Sequence, residues 1–241
     1  MKAAYSCLIA LALGFSINAQ DVAGTIFNGA GAFSRVMGVQ PDMMDAIHRV
    51  SGLKFTTSKR LEGSPFFDEE YWPGYIIFFN DKVLRDIPLK YNDLNNELYF
   101  EDQGREMILQ TVFKEFGFSV KQDELTKSYF FRSGFPAIAT NTDKTFYQVL
   151  SENKYVLLKN SEKTVRESKE PNGMEFLRIT TADTYFAYDS AAKNIVKIKN
   201  SIGSITGALP TEKEQIELIC KQEGLKCKSE KELIALFSRL R

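Results

Sequence analysis

The chain has 241 residues, with 31 basic and 31 acidic side chains and therefore no net charge at neutral pH. A neutral chain with scattered basic residues has no general attraction for nucleic acid or anionic membranes, which removes nucleic-acid binding from consideration. Aromatic residues make up 12% of the sequence, and phenylalanine alone occurs 19 times, enough apolar material for a large core.

The first element, residues 1–19, has one cation (Lys2), an apolar run ending at Phe15, and small or polar residues up to Ala19. That is the layout of a secretory signal peptide. The run is shorter than the roughly 20 apolar residues that span a bilayer. We therefore expect cleavage after Ala19, no lipid anchor, no transmembrane segment in the mature chain, and a periplasmic or secreted product. Residues 20–52 read as a lead-in rich in Gly and Ala, then a short helix over "PDMMDAIHRVSG". Pro41 and Asp42 suit its start and Gly52 its stop.

Residues 53–207 read as an antiparallel β domain. "YIIFFNDKVLRDIPLKYN" is two strands around Asn80-Asp81, a dipeptide that tolerates tight-turn angles. In the second strand, alternation puts Val83, Arg85, Ile87, Leu89 and Tyr91 on one face, and Leu84, Asp86, Pro88, Lys90 and Asn92 on the other. Pro88 cannot donate to a ladder and belongs at an edge or bulge. "ELYFED" is a third strand with Leu98 and Phe100 facing inward, and with Glu97, Tyr99 and Glu101 on a solvated face. Asn92, Asp93, Asn95 and Asn96 between these strands read as turn chemistry rather than as a carboxylate site.

Further strands follow in "REMILQTVF", "FGFSV" and "SYFFRSGFPAI", then a hairpin around "SENK". "SEKTVRESKEPNG" reads as a charged turn region before the long strand of "EFLRITTADTYFAYDSAAKNIVKIKN" and its partner. The expected fold is mainly β, an antiparallel meander closed or half-closed into a barrel, with a sandwich as the competing architecture. Residues 208–241 read as a C-terminal helical hairpin. "TEKE" at Thr211–Glu214 and "SEKE" at Ser229–Glu232 both fit the capping box that opens a helix.

Two stretches resemble a known group. "GSPFFDEEYWPGYIIFFNDKVLRDIPLKYNDLNNELYFED" and "LPTEKEQIELICKQEGLKCKSEKELIALF" look like an uncharacterised secreted family of Bacteroidota. That family combines a "GSP" stretch, a "PL-x-YN" strand, an "E-L-x-F" strand and a C-terminal helical pair. The resemblance implies export and architecture, and it carries no activity. By its meander, the chain also resembles periplasmic lipoprotein carriers with a half-barrel fold.

The chemistry is sparse. His48 is the single histidine and has no spaced partner, which argues against a histidine-rich zinc site and a histidine-based nucleophile pair. No nucleotide, dinucleotide or calcium loop is present, and no cofactor is implied. "FFDEEYW" places Asp68, Glu69 and Glu70 among Phe66, Phe67, Tyr71 and Trp72. Carboxylates among aromatics suit a glycoside hydrolase, and the same aromatics suit a surface that contacts a partner or ligand. The expected function is a non-catalytic protein of the bacterial cell envelope that binds a partner protein, an apolar ligand or a glycan. A lipid carrier and a glycoside hydrolase are the alternatives. Cys220 and Cys227, the cysteines left after cleavage, are a candidate disulfide in an oxidising compartment.

Overall fold

Short turns with left-handed residues fold the β region into hairpins. Asp81, Asn96 and Lys193 hold positive φ angles of 62°, 59° and 51° at three of them, where Asn and Asp tolerate a conformation that most side chains avoid. The computed structural model describes residues 59–122 and 124–241, without the Gln122 side chain. The signal segment, the lead-in and the short helix carrying His48 lie outside the described residues.

The strands are β1 Arg60–Glu62, β2 Trp72–Phe78, β3 Val83–Asn92, β4 Glu97–Asp102, β5 Arg105–Ile108, β6 Phe113–Gln122, β7 Leu125–Arg132, β8 Tyr147–Glu152, β9 Tyr155–Lys169, β10 Glu175–Asp189 and β11 Asn194–Ile198. The helices are α1 Ile202–Ala208, α2 Lys213–Glu223 and α3 Glu230–Phe237, with a 3-10 turn at Pro210–Glu212. Among the described residues, the strands form one open sheet in the order β1-β10-β9-β8-β7-β6-β2-β3-β4-β5, with β11 also on β10. Two meanders, β2 to β5 and β6 to β11, are joined where β2 pairs with β6. The β1–β10 pair is parallel. The fold is thus mainly β with a C-terminal helix pair, and the sheet does not close.

The sheet nevertheless curls. Four strands separate β9 from β3, a spread of roughly 24 Å at ~4.8 Å per step if the sheet were flat. Yet Lys163 on β9 contacts Asp93, just past the end of β3, at 2.8 Å. The segment between β1 and β2 crosses this gap: Phe66 forms an isolated bridge with Asn92, and the Phe67 N–H donates to the Tyr91 carbonyl. Phe67 sets its ring edge-on against Phe118, Tyr129 and Phe131, with centroids at 5.8, 4.8 and 5.3 Å.

Several local readings change. A bulge at Asp86 (φ 57°) puts Ile87 opposite Gly74 but Arg85 opposite Tyr75. The extra residue flips the alternation, so Leu84 is buried with Leu89 and Tyr91, while Val83 and Arg85 are exposed. Pro88 lies opposite Pro73 beside this bulge, so neither ring displaces a needed donor. Tyr99 is 1% exposed rather than solvated, because Phe66 packs against its ring at 5.5 Å. "SEKTVRESK" belongs to β9 and not to a turn, since its backbone pairs with β10 throughout. Exposed strand faces accept its charges, and Thr164 bonds Thr180 across the pair at 3.0 Å.

The helical region begins earlier than expected, with α1 capped by Ser201, which accepts from the Ser204 N–H. Of the two capping boxes, the one at Ser229 and Glu232 forms. The one at Thr211 and Glu214 does not: Pro210–Glu212 is a 3-10 turn, so the cap position of α2 falls on Glu212, where no side chain caps the helix. The helices cover one face of β8 to β11, burying Leu157, Ile198, Ile216, Leu233, Leu236 and Phe237. Alternate residues on the other face, Val156, Leu158 and Phe186, pack with Phe135 and Tyr147.

Candidate functional site

The structure places the 66–72 segment on the sheet and pairs its polar groups within the segment and with Lys90 and Glu106. Asp68 Oδ1 accepts from the Glu70 N–H at 3.0 Å and from Trp72 Nε1 at 2.9 Å. Glu69 lies 3.6 Å from Lys90, whose ammonium sits 4.0 Å from the centroid of the Phe66 ring. Tyr71 donates to Glu106; burial, then this bond, holds its hydroxyl above the ordinary tyrosine range. Phe66 and Phe67 are anchors in the sheet. These residues form one structural latch, and apart from Phe67 they do not line the cleft beside the β3–β4 turn.

That cleft opens where three segments converge: the β3–β4 turn, the 140–146 loop and the middle of β9. It encloses about 310 Å³, near the lower end for ligand sites. Its floor follows from the sheet register. Ile76, Phe116, Phe131, Gln148, Lys159 and Tyr185 are successive cross-strand partners and share one face. The row is apolar as far as Phe131 and polar from Gln148 onward. Phe67, Tyr91, Phe131 and Phe146 supply ring surface to the walls, and Asn141, Asn160 and Ser161 supply amides and a hydroxyl.

The buried charges in the cleft are paired internally. Lys163 Nζ meets Asp93 at 2.8 Å, with side chains only 9% and 7% exposed, and donates to the carbonyls of Ser64 and Phe66. The Asp93 approach is close but poorly aligned, an ion pair rather than a directed hydrogen bond. Burial lifts the Asp93 carboxyl above the usual carboxylate range, and Lys163 opposes that lift. Lys159 contacts Asp183 at 3.0 Å and Glu230 at 2.9 Å. Burial disfavours its charge, but bonds to Glu230 and Asp183 outweigh it and hold Lys159 above the ordinary lysine value. Tyr185 completes the network by donating to Glu230 at 3.1 Å, and burial pushes its hydroxyl up to about 12.

Gln148 differs from these. It is 9% exposed and lines the cleft, where its carboxamide atoms stay open to solvent and bond no other described residue. Asn141 and Asn160 share one bond of 3.3 Å, so each keeps unused donor or acceptor capacity. The sequence carried faint signals for this site. Lys159, Ser161 and Lys163 alternate on one strand face, and "YNDLNN" combines a turn with an acid. A turn motif looks the same whether or not β9 lies across from it.

Cys220 and Cys227 are both buried free thiols, with sulfurs 3.7 Å apart between α2 and α3. Among the described residues, no group of three or more His, Cys, Asp or Glu is arranged to hold a metal ion, and no helix is long and apolar enough to cross a membrane. Comparison with known proteins finds no matching family model, no matching curated protein and no matching solved structure.

Proposed function

We propose that the chain is an exported, non-catalytic binding protein of the bacterial cell envelope that holds its ligand in the cleft on the helix-bearing face of the sheet. The observation that carries the proposal is the polar end of the cross-strand row: Gln148 and Lys159 occupy inward positions that the neighbouring strands fill with Phe131, Phe116 and Ile76. Buried polar groups cost stability unless they are paired. Lys159 is paired within the protein, and Gln148 leaves its partner to a ligand or to solvent. The signal-like leader and the resemblance to secreted Bacteroidota proteins support export. The alternative of a lipid carrier needs an apolar cavity, and Asp93, Lys159 and Lys163 make this lining unsuited to acyl chains.

The test is amide NMR of the mature protein titrated separately with polysaccharide and lipid fractions of a Bacteroidota envelope. Shifts confined to residues 93–96, 140–148 and 159–163 with either fraction support the proposal. Shifts centred on residues 66–72, or none with either fraction, overturn it. Fractionation of cells making the full chain tests export: a cytoplasmic product that retains residues 1–19 refutes it.

A further inference from the structure

We infer that the cleft takes a neutral, hydroxyl-rich ligand, an oligosaccharide segment, rather than an ion or an acyl chain. This rests on the cleft being the binding site and adds the chemical class of its occupant.

The charge pattern excludes an ionic ligand as the natural fit. An ammonium has three donors, and three oxygens already surround Lys163: the carbonyls of Ser64 and Phe66 and the Asp93 carboxylate. Lys159 is shared between Asp183 and Glu230. An anion entering the cleft would have to displace one of these carboxylates, and a cation would meet the two ammoniums. At the rim, Lys144 and Glu162 are exposed and of opposite sign, so no net field draws in either charge.

The groups with unused capacity are neutral. Gln148 presents a carboxamide with two donors and an acceptor that can take two bonds; the residue is mostly buried, and the amide atoms themselves face solvent in the cleft without a partner among the described residues. Asn141 and Asn160 hold each other by one bond, Asn141 also lies against the Tyr147 hydroxyl, and both keep further capacity. Their setting beside Phe67, Phe131 and Phe146 matches the two-sided chemistry of a pyranose, hydroxyls at the rim and C–H groups on the faces. Phe146 is held rigid by stacking on Phe113 at 4.8 Å and 19°. A rigid ring with nearby amides loses little entropy when a sugar packs on it.

The experiment titrates the mature protein with four neutral probes, the linear tetrasaccharides of β-1,4-glucose, β-1,4-N-acetylglucosamine, α-1,4-glucose and β-1,4-mannose. Sulfated cellotetraose and a soluble fatty acid are the controls, and amide NMR is read at residues 140–148 and 159–163. At least one neutral probe should shift these residues, and its affinity should change by less than about twofold between about 0.05 and 0.5 M NaCl. Gln148→Leu should weaken it about tenfold or more, the loss of roughly one buried hydrogen bond. Asn160→Ala should weaken it as well, which guards against a folding defect in the first variant. Failure of all four neutral probes overturns the inference, as does tighter binding of the sulfated sugar or an unchanged affinity in both variants. If the fatty acid alone shifts the cleft, the inference falls while the cleft remains the binding site. If no probe reaches the cleft and both envelope fractions are also silent, both readings fall.

Discussion

In the 66–72 segment, Asp68, Glu69, Tyr71 and Trp72 each have a partner, and the two phenylalanines are set into the sheet. In the cleft, the buried charges are paired, but the amide of Gln148 opens to solvent with no partner among the described residues. Both regions combine acids and rings, and composition alone ranks the first above the second. The difference lies in what each polar atom meets. A group with all its bonds made inside the protein stabilises the fold, and a cleft-facing group with bonds left to make is open to a ligand.

The largest effect is expected at the ion pair that ties the two regions together. Lys163→Met leaves Asp93 buried without its cation and should cost about 4 kcal/mol in urea unfolding. The pH dependence sharpens this. The Asp93 carboxyl lies above its ordinary value because of burial, so its contribution to stability is complete below the unfolded value of about 3.9 and is lost as pH rises through the folded value. Removing the ammonium lifts the folded value further. The deficit of the variant should therefore be greatest near neutral pH and shrink on acidification. An equal deficit at about pH 7 and about pH 4.5 contradicts this assignment.

Phe67→Ala comes next. It removes three edge contacts to Phe118, Tyr129 and Phe131 and loosens the segment that spans the open side of the sheet. About 3 kcal/mol is expected, read as a lowered denaturation midpoint with the slope unchanged. A cost below about 1 kcal/mol marks the segment as a surface loop and removes the contrast with the cleft.

The hairpins and the helix pair were legible in the sequence, because period-two alternation, Asn-Asp turns and one true capping box act over neighbouring residues. What escaped depends on partners distant in the chain. The bulge at Asp86 is set by how β3 meets β2, and one inserted residue reverses every face assignment on one side of it. Tyr99 looks solvated until Phe66, 33 positions earlier, is folded over it. "TEKE" has the letters of a capping box, but Pro210 starts a 3-10 turn and moves the cap position of α2 from Thr211 to Glu212. The cleft was the least legible feature, since Asp93 and Lys163 meet only because the sheet curls.

The cysteine pair offers a comparison within the helical layer. Burial raises both thiols, Cys227 to about 12, so neither forms a thiolate readily and spontaneous oxidation should be slow. In an oxidising compartment with a disulfide catalyst, the sulfurs at 3.7 Å should bridge. The closed loop is short and limits the gain to at most ~2.5 kcal/mol by chain entropy. Non-reducing mass spectrometry of mature protein taken from the envelope checks this, and two alkylatable thiols there refute the bridge.

The smallest effect is expected from Asp68→Asn, Glu69→Gln and Glu70→Gln combined, and it discriminates most directly between the two regions. The amide that replaces the Asp68 carboxylate keeps an oxygen able to accept from the Glu70 main chain and from Trp72, so the latch geometry persists. The loss at position 69 is one long contact with Lys90, a class of exposed pair worth about 0 to 1 kcal/mol. The unfolding midpoint should therefore fall by less than about 1 kcal/mol equivalent, and ligand affinity at the cleft should stay within about twofold. A hydrolytic activity on glycans that vanishes in this variant, with folding intact, would make the segment a catalytic site and the cleft an accessory to it. Retained binding in the triple variant, set beside weakened binding in Gln148→Leu, assigns recognition to the groups whose bonds the fold leaves open.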